Sequence, residues 1–122
     1  KMKVNEKKTK NIIFNFTRDH QFSAEINLKN ENLEVIDKTK LLGAVITSDL
    51  KWHENTKFLV KKANKKMIMM HKFAKFTQNK SHLIHIFKSQ VRGILEYCST
   101  VWHSSMTEAD CNDIERVQKA AV

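Results

Sequence analysis

The 122-residue chain lacks the features that mark membrane and secreted proteins. No apolar run approaches the roughly 18 residues of a membrane span, and the first ten residues have no apolar core of the signal-peptide kind. We therefore expect an intracellular protein, cytoplasmic or nuclear, with no membrane partner. The two cysteines, Cys98 and Cys111, are then expected to be free thiols.

Acidic residues are scarce where basic residues are densest. Between Lys51 and Lys80 nine lysines face one acidic residue, Glu54, and this segment carries +8 of the net charge of +9. Residues 93–122, in contrast, carry −3. A local excess of this size indicates an anionic partner, and its alternative is a solvated lysine face that serves only solubility.

The same segment has the apolar spacing of a long amphipathic helix. At ~100° per residue one arc should face a core, and its residues are Trp52, Thr56, Leu59, Ala63, Met67, Met70 and Ala74. The opposite side carries what we call the lysine stripe: Lys57, Lys61, Lys65, Lys72 and Lys75, interrupted chiefly by Ile68. Because like charges at this spacing repel each other, an anion that relieves the repulsion would stabilise the helix.

The hydrophobic period changes once, near Asp49. Before it, alternating apolar residues predict antiparallel strands, and they are Ile12 with Phe14 and Phe16, then Phe22, Ala24, Ile26 and Leu28, then Leu33 with Val35. The two-sided apolar run from Leu41 to Ile46 predicts a fourth strand that is buried on both faces.

After Asp49 the period is helical and predicts three helices. The second helix runs from about Ser81 to Tyr97, and Gly93 inside it predicts close packing or a kink. The third opens at Thr107, whose hydroxyl caps it with Asp110 at the reciprocal position. The expected fold class is α+β: a small antiparallel sheet of about four strands followed by three α-helices.

Both ends of the sequence predict a piece of a larger protein. The third helix is still running at Val122 without a glycine, asparagine or proline to stop it. The residues from Met2 to Asn5 enter the first predicted strand with no sign of a natural terminus.

Six blocks in order carry a resemblance that covers nearly the whole chain. They are Asn5-Glu6-Lys7-Lys8-Thr9-Lys10 leading into Ile12-Ile13-Phe14; Leu41-Leu42-Gly43 with Val45; Asp49-Leu50-Lys51-Trp52-His53; Val60-Lys61-Lys62-Ala63-Asn64-Lys65-Lys66; Ile94-Leu95-Glu96-Tyr97 with Val101-Trp102-His103-Ser104-Ser105; and Ile114-Glu115-Arg116-Val117-Gln118-Lys119. In this order they resemble the segment that follows the catalytic aspartates in reverse transcriptases of non-LTR (LINE-type) retrotransposons.

The resemblance implies a polymerase fragment. Residues 1–49 would be the end of the palm with a primer-grip-like strand, and residues 50–122 a helical, thumb-like region. Lys8 matches the lysine of the family's fourth motif, a candidate catalytic proton donor to pyrophosphate. Leu42 and Gly43 match the primer grip, where a glycine lets the backbone approach the primer end. From the sequence alone, Gly43 fits a tight bend or bulge equally well.

The resemblance also implies partners: an RNA–DNA hybrid or other nucleic-acid duplex held without sequence preference, and the upstream fingers and palm of the parent polymerase. The nucleic-acid-binding residues would be Leu42, Gly43 and the lysine stripe, which suits contacts to phosphates. Two Mg²⁺ ions are expected in the full-length parent, on paired aspartates that lie upstream of this segment. Because this sequence has no Asp-Asp pair, we expect no cofactor in this chain and no polymerase activity from it alone.

Other constellations have simpler explanations. His82 and His85, with the downstream cysteines, match no zinc-binding spacing, so no metal ligands are predicted. Trp52 and Trp102 lie at the edges of apolar stripes and are expected to pack in a core. The alternative function is a non-catalytic protein-interaction module, or an inert remnant of a decayed retroelement.

Overall fold

A computed structural model describes residues 4–5, 8–16, 26–28, 31–77 and 79–121. The chain divides into two compact units, residues 1–51 and 52–122. The first holds all the named strands and the second all the named helices, so the α+β class is confirmed.

The strands form two separate antiparallel sheets of two strands each, in place of one sheet of about four. The first sheet pairs β1 (Asn27–Leu28) with β2 (Glu31–Asn32). The second pairs β3 (Lys38–Leu41) with β4 (Ala44–Thr47). Two-stranded sheets have no second layer of their own, and none of the described residues before Trp52 is buried.

One strand prediction is partly right and one is wrong. The run from Leu41 to Ile46 is not a single strand: Leu41 ends β3, Leu42 and Gly43 form the two-residue loop of the β3–β4 hairpin with the positive φ that such a loop needs, and the residues from Ala44 onward belong to β4. It is not buried on both faces, since Leu41 and Leu42 are exposed. The segment from Ile12 to Phe16 forms no strand: its neighbour Asn11 makes a single parallel bridge to Val35. Alternating apolar residues give a segment one apolar face. A strand also needs a neighbouring strand with which its backbone can form hydrogen bonds.

The remaining strand predictions have mixed outcomes. Of the run from Phe22 to Leu28, only the last three residues lie within the described part of the chain, and the last two of them form β1. The predicted strand at Leu33 and Val35 is reduced to the bridge at Val35, just after β2.

The helical unit is built on α1 (His53–Ala74), which contains neither glycine nor proline. Glu54 in its first turn and Lys72 in its last turn have the charges that favour the ends of the helix dipole. The predicted core arc is confirmed: its members from Trp52 to Met70 are buried, and Ala74 is half-buried. Ala63, Met67 and Met70 pack with Val91, Leu95 and Val117 into one apolar core.

The second predicted helix is present but irregular. It consists of α2 (Lys80–Ile86), a π-helical segment (Phe87–Arg92) and α3 (Gly93–Leu95). Apart from its chain neighbours and the backbone of its own helix, no atom lies within 4 Å of where a side chain on Gly93 would begin. Of the two explanations predicted for this glycine, close packing or a kink, close packing is therefore wrong. The helical irregularity comes instead from the π segment, which buries Val91 completely.

Two further helices complete the unit. After Cys98, which has a left-handed φ of 54°, come α4 (Ser99–Trp102) and a 3₁₀ turn (His103–Ser105). Helix α5 (Glu108–Lys119) is capped by the Thr107 hydroxyl, which accepts the Asp110 N–H, and this confirms the predicted cap. Trp52 and Trp102 are buried and both cysteines are free thiols, as predicted.

Candidate nucleic-acid interface

The lysine stripe lies on the solvent side of α1. All five of its lysines are exposed, and the residues on the opposite side of the helix are the buried core residues. At about 1.5 Å per residue, the stripe from Lys57 to Lys75 is roughly 27 Å long. Such a row of ammonium groups can follow a phosphate backbone, because it is fixed to a packed helix.

Few acidic groups compensate this charge. Lys57 makes an ion pair of 3.3 Å with Glu54, but within the part of the chain that is described, Lys61, Lys65, Lys72 and Lys75 make none. The sequence explains this, since no aspartate or glutamate occurs in residues 55–95. Four of the five charges are therefore available to an anion from outside the helix.

A partly buried pair at the start of α1 fixes that helix to α5. The Nδ1 atom of His53 lies 2.7 Å from Oδ1 of Asp110, and the Thr107 hydroxyl donates to Oδ2 over 2.7 Å. The Asp110 side chain is 2% exposed, whereas that of His53 is 51% exposed. The pair joins residues 57 positions apart and holds the N-terminal ends of the two helices together.

The environment of Asp110 favours its ionised form. Burial by itself would raise the pKa of the carboxyl group. The hydrogen bonds from Thr107 and His53, together with the positive charge of protonated His53, outweigh burial and hold this pKa below its ordinary value of 3.8. Sequence reasoning missed the pair, because Asp110 already had a local explanation as the capping partner of Thr107. No pattern in the sequence relates His53 to it.

The other predicted contact residues lie at the tip of the β3–β4 hairpin. Leu42 has a φ of 48° and Gly43 a φ of 96°, as the two central residues of a type I′ turn require. Leu42 is 85% exposed. Leucine in the left-handed region is strained by roughly 1 kcal/mol, and its side chain remains exposed here.

Lys8 lies in the same unit as the hairpin. It is exposed, and its backbone N–H donates to the Asn5 carbonyl over 3.2 Å. Nothing in this geometry tests its predicted role as a proton donor. Among the described residues no three His, Cys, Asp or Glu side chains are grouped so as to hold a metal ion. In the same part of the chain, no helix combines the length and apolar character needed to cross a membrane.

No protein-family model, no curated protein and no solved structure matches the chain.

Proposed function

We propose that the chain is the end of the palm and the thumb of a non-LTR reverse transcriptase, and that it holds the template-primer duplex without reading its sequence. The observation that carries the proposal is the lysine stripe: an exposed row of positive charge opposite the core of α1, with no acidic residue in residues 55–95. The resemblance of the six sequence blocks supports a non-LTR reverse transcriptase as the parent enzyme. Catalysis would be carried out by aspartates in another part of the parent enzyme and by the Mg²⁺ that they would bind.

Phosphate contact is the chemistry that best suits the stripe. Lysine is a flexible point charge with three donors and no acceptor, and it binds phosphate without distinguishing bases. Duplex DNA presents one negative charge per about 1.7 Å of its axis. A row of lysines roughly 27 Å long therefore meets more phosphates than it has charges, so binding would be possible in many registers. This is what a polymerase needs, because its product moves at every step.

The hairpin tip supports a second contact. Residues held in strained backbone conformations often serve a contact or a mechanism, and the exposed Leu42 beside Gly43 offers an apolar side chain. In the proposed role these two residues would touch the primer end. Lys8 would be the proton donor in the assembled parent enzyme.

The proposal is tested by the salt dependence of duplex binding. Fluorescence anisotropy with an RNA–DNA hybrid, measured over a salt series, should give a steep linear fall of log K with log salt. The triple variant Lys61→Ala, Lys65→Ala and Lys72→Ala should flatten that slope by about one unit for each phosphate that is no longer neutralised, roughly three in all. Hybrids of unrelated sequence should bind equally well.

A matched control removes the same charge from lysines that already have acidic partners. Lys10, Lys51 and Lys119 pair with Glu34, Asp49 and Glu115 respectively. Their replacement by alanine should leave the slope nearly unchanged. Equal slopes in the two triple variants would show that only net charge matters, and would favour the alternative of an interaction module or an inert remnant.

A further inference from the structure

Three large apolar side chains are exposed next to the distal half of the lysine stripe. Met69 is 58% exposed, Phe73 is 50% exposed and Phe76 is 88% exposed. Met69 follows Lys65 by four residues within α1 and so lies beside it on the helix surface, whereas Phe76 comes directly after Lys75 of the stripe. Phe76 is held in the turn after α1, where its N–H donates to the Phe73 carbonyl over 2.9 Å.

Two clefts adjoin Phe73 on the side of α2. One, of about 520 Å³, is lined by Phe73 and Ile86 and by the polar side chains of Ser81, His82 and His85. The other, of about 150 Å³, shares Phe73 and Ile86 and adds Lys66 and Gln90. The pair of clefts thus combines an aromatic and aliphatic wall with hydrogen-bonding groups and a positive charge.

We propose that Phe73, Phe76 and the two clefts bind single-stranded nucleotides that continue from a duplex held on the lysine stripe. This inference rests on the proposed function and adds a second ligand conformation to it. A duplex hides the faces of its bases, whereas an unpaired strand exposes them to flat aromatic side chains and to hydrogen-bonding groups. The phenylalanines would stack with the bases, while Lys66 and Lys72 would contact the phosphates.

Charge favours nucleic acid over a protein as the occupant. Every ionisable side chain between Glu54 and Glu96 is a lysine, an arginine or a histidine, so the surface around Phe73 and Phe76 repels other cations. A nucleic-acid strand brings regularly spaced negative charge and flat apolar rings together. The surface is also continuous along α1 with the proposed duplex interface, so one strand can pass from one to the other.

The experiment compares three ligands with the whole chain in one buffer: a blunt RNA–DNA hybrid, the same hybrid with a single-stranded overhang of about six nucleotides, and the overhang sequence alone. We expect the overhang to tighten binding about tenfold over the blunt hybrid. The double variant Phe73→Ala and Phe76→Ala should lose that gain and keep its affinity for the blunt hybrid within about twofold. Far-UV circular dichroism should show an unchanged helix content.

Two further variants separate stacking from simple apolar contact. Phe73→Leu with Phe76→Leu keeps the apolar surface but removes the flat rings, and should also lose most of the gain. Ile84 and Val101 are exposed on other parts of the helical unit, at 54% and 57%. Their replacement by alanine should change neither the affinity for the blunt hybrid nor the gain from the overhang. If the leucine variant keeps the full gain in affinity from the overhang, the proposal that the phenylalanines stack with the bases is wrong.

The remaining outcomes separate this inference from the proposed function. If the hybrid binds through the stripe but the overhang gives no gain, or a gain independent of the phenylalanines, only the single-strand site is wrong. If the stripe variant leaves hybrid binding unaffected, the proposed function fails first. Binding to phosphatidylserine vesicles that requires Phe73 and Phe76, without an overhang effect, would replace the nucleotide by a lipid surface and overturn the inference.

Discussion

The two units of the chain are stabilised in different ways. Among the described residues of 52–122, nine hydrophobic residues are buried. Among the described residues of 1–51, none is buried, and several large apolar side chains are exposed: Val4, Phe14, Phe16, Ile26, Val35, Leu41, Leu42 and Leu50. The helical unit therefore has a core of its own, whereas the strands depend on backbone pairing within short hairpins.

This difference indicates how each unit could bind a ligand. A face that must keep its shape while a duplex slides along it needs a packed support, and the stripe has one in the core beneath α1. The hairpin tip has an exposed leucine at a strained position and no buried residue beneath it. In the proposed polymerase, the stripe is a preformed surface, and the hairpin would gain its apolar contacts from the primer and the rest of the palm.

The largest effect should come from removing a core side chain of the helical unit. Leu95 is 2% exposed, and Leu95→Ala should cost about 2–5 kcal/mol of the free energy of unfolding, because it leaves a cavity among α1 and its neighbours. The free energy of unfolding of a unit of this size is only about 4–10 kcal/mol. Urea unfolding followed by tryptophan fluorescence reports on this unit, because both tryptophans lie in it.

The matched change in the strand unit is Leu41→Ala. Leu41 is 57% exposed, so its truncation should change the free energy of unfolding of its own unit by less than about 0.5 kcal/mol. Because residues 1–51 contain no tryptophan, this change is followed by the NMR signals of the β3–β4 hairpin. Equal losses in the two variants would contradict the contrast between the units and show that Leu41 is buried in solution.

A smaller loss of stability is expected from a change in the His53–Asp110 pair, which joins α1 to α5. Asp110→Asn should cost about 1–2 kcal/mol at neutral pH, because it weakens charge-assisted hydrogen bonds to Thr107 and His53. Since the pKa of Asp110 is lowered in the folded chain, its contribution is present above about pH 3.8 and is lost as the pH falls through the lowered pKa. Urea midpoints of the chain and the variant, measured from pH 7 to pH 2, should therefore converge in acid.

Asp49→Asn is the control in the strand unit. The Thr47 hydroxyl and the Lys51 N–H lower the pKa of Asp49 too, but its side chain is 52% exposed. The helical unit should show the same urea midpoint with this variant at every pH. A constant difference between the chain and Asp110→Asn across the pH range would mean that Asp110 acts through its shape and not its charge.

Replacing each of the two glycines by alanine should have a small effect on stability, and the two effects should have opposite signs. Gly43→Ala places a side chain at a φ of 96° and should destabilise the hairpin by about 1 kcal/mol, seen as weaker cross-strand NOEs between β3 and β4. Gly93 is helical, with open space where a side chain would begin. Gly93→Ala should raise the free energy of unfolding by about 0.5–1 kcal/mol. A loss of stability at Gly93 would show that close packing at this position exists after all.

The sequence by itself determined the helical unit well. The buried arc of α1 could be identified from spacing alone, because a 22-residue helix has several turns over which the period of 3.6 is unambiguous. The exposure of the lysine stripe could be predicted from the same geometry, since side chains opposite the buried side of a helix are exposed to solvent. The cap at Thr107 was also predicted, because capping is local and involves residues three apart.

Only the tertiary structure decided which strands pair and where distant side chains meet. Alternation over a few residues does not specify a partner strand, so the run from Leu41 to Ile46 could be a buried strand or a hairpin until the backbone of Gly43 settled it. His53 and Asp110 meet because the core holds α1 against α5, and nothing local to either residue requires it. The exposure of Phe73 and Phe76 was equally undetermined, since an apolar side chain is exposed wherever no other element packs over it.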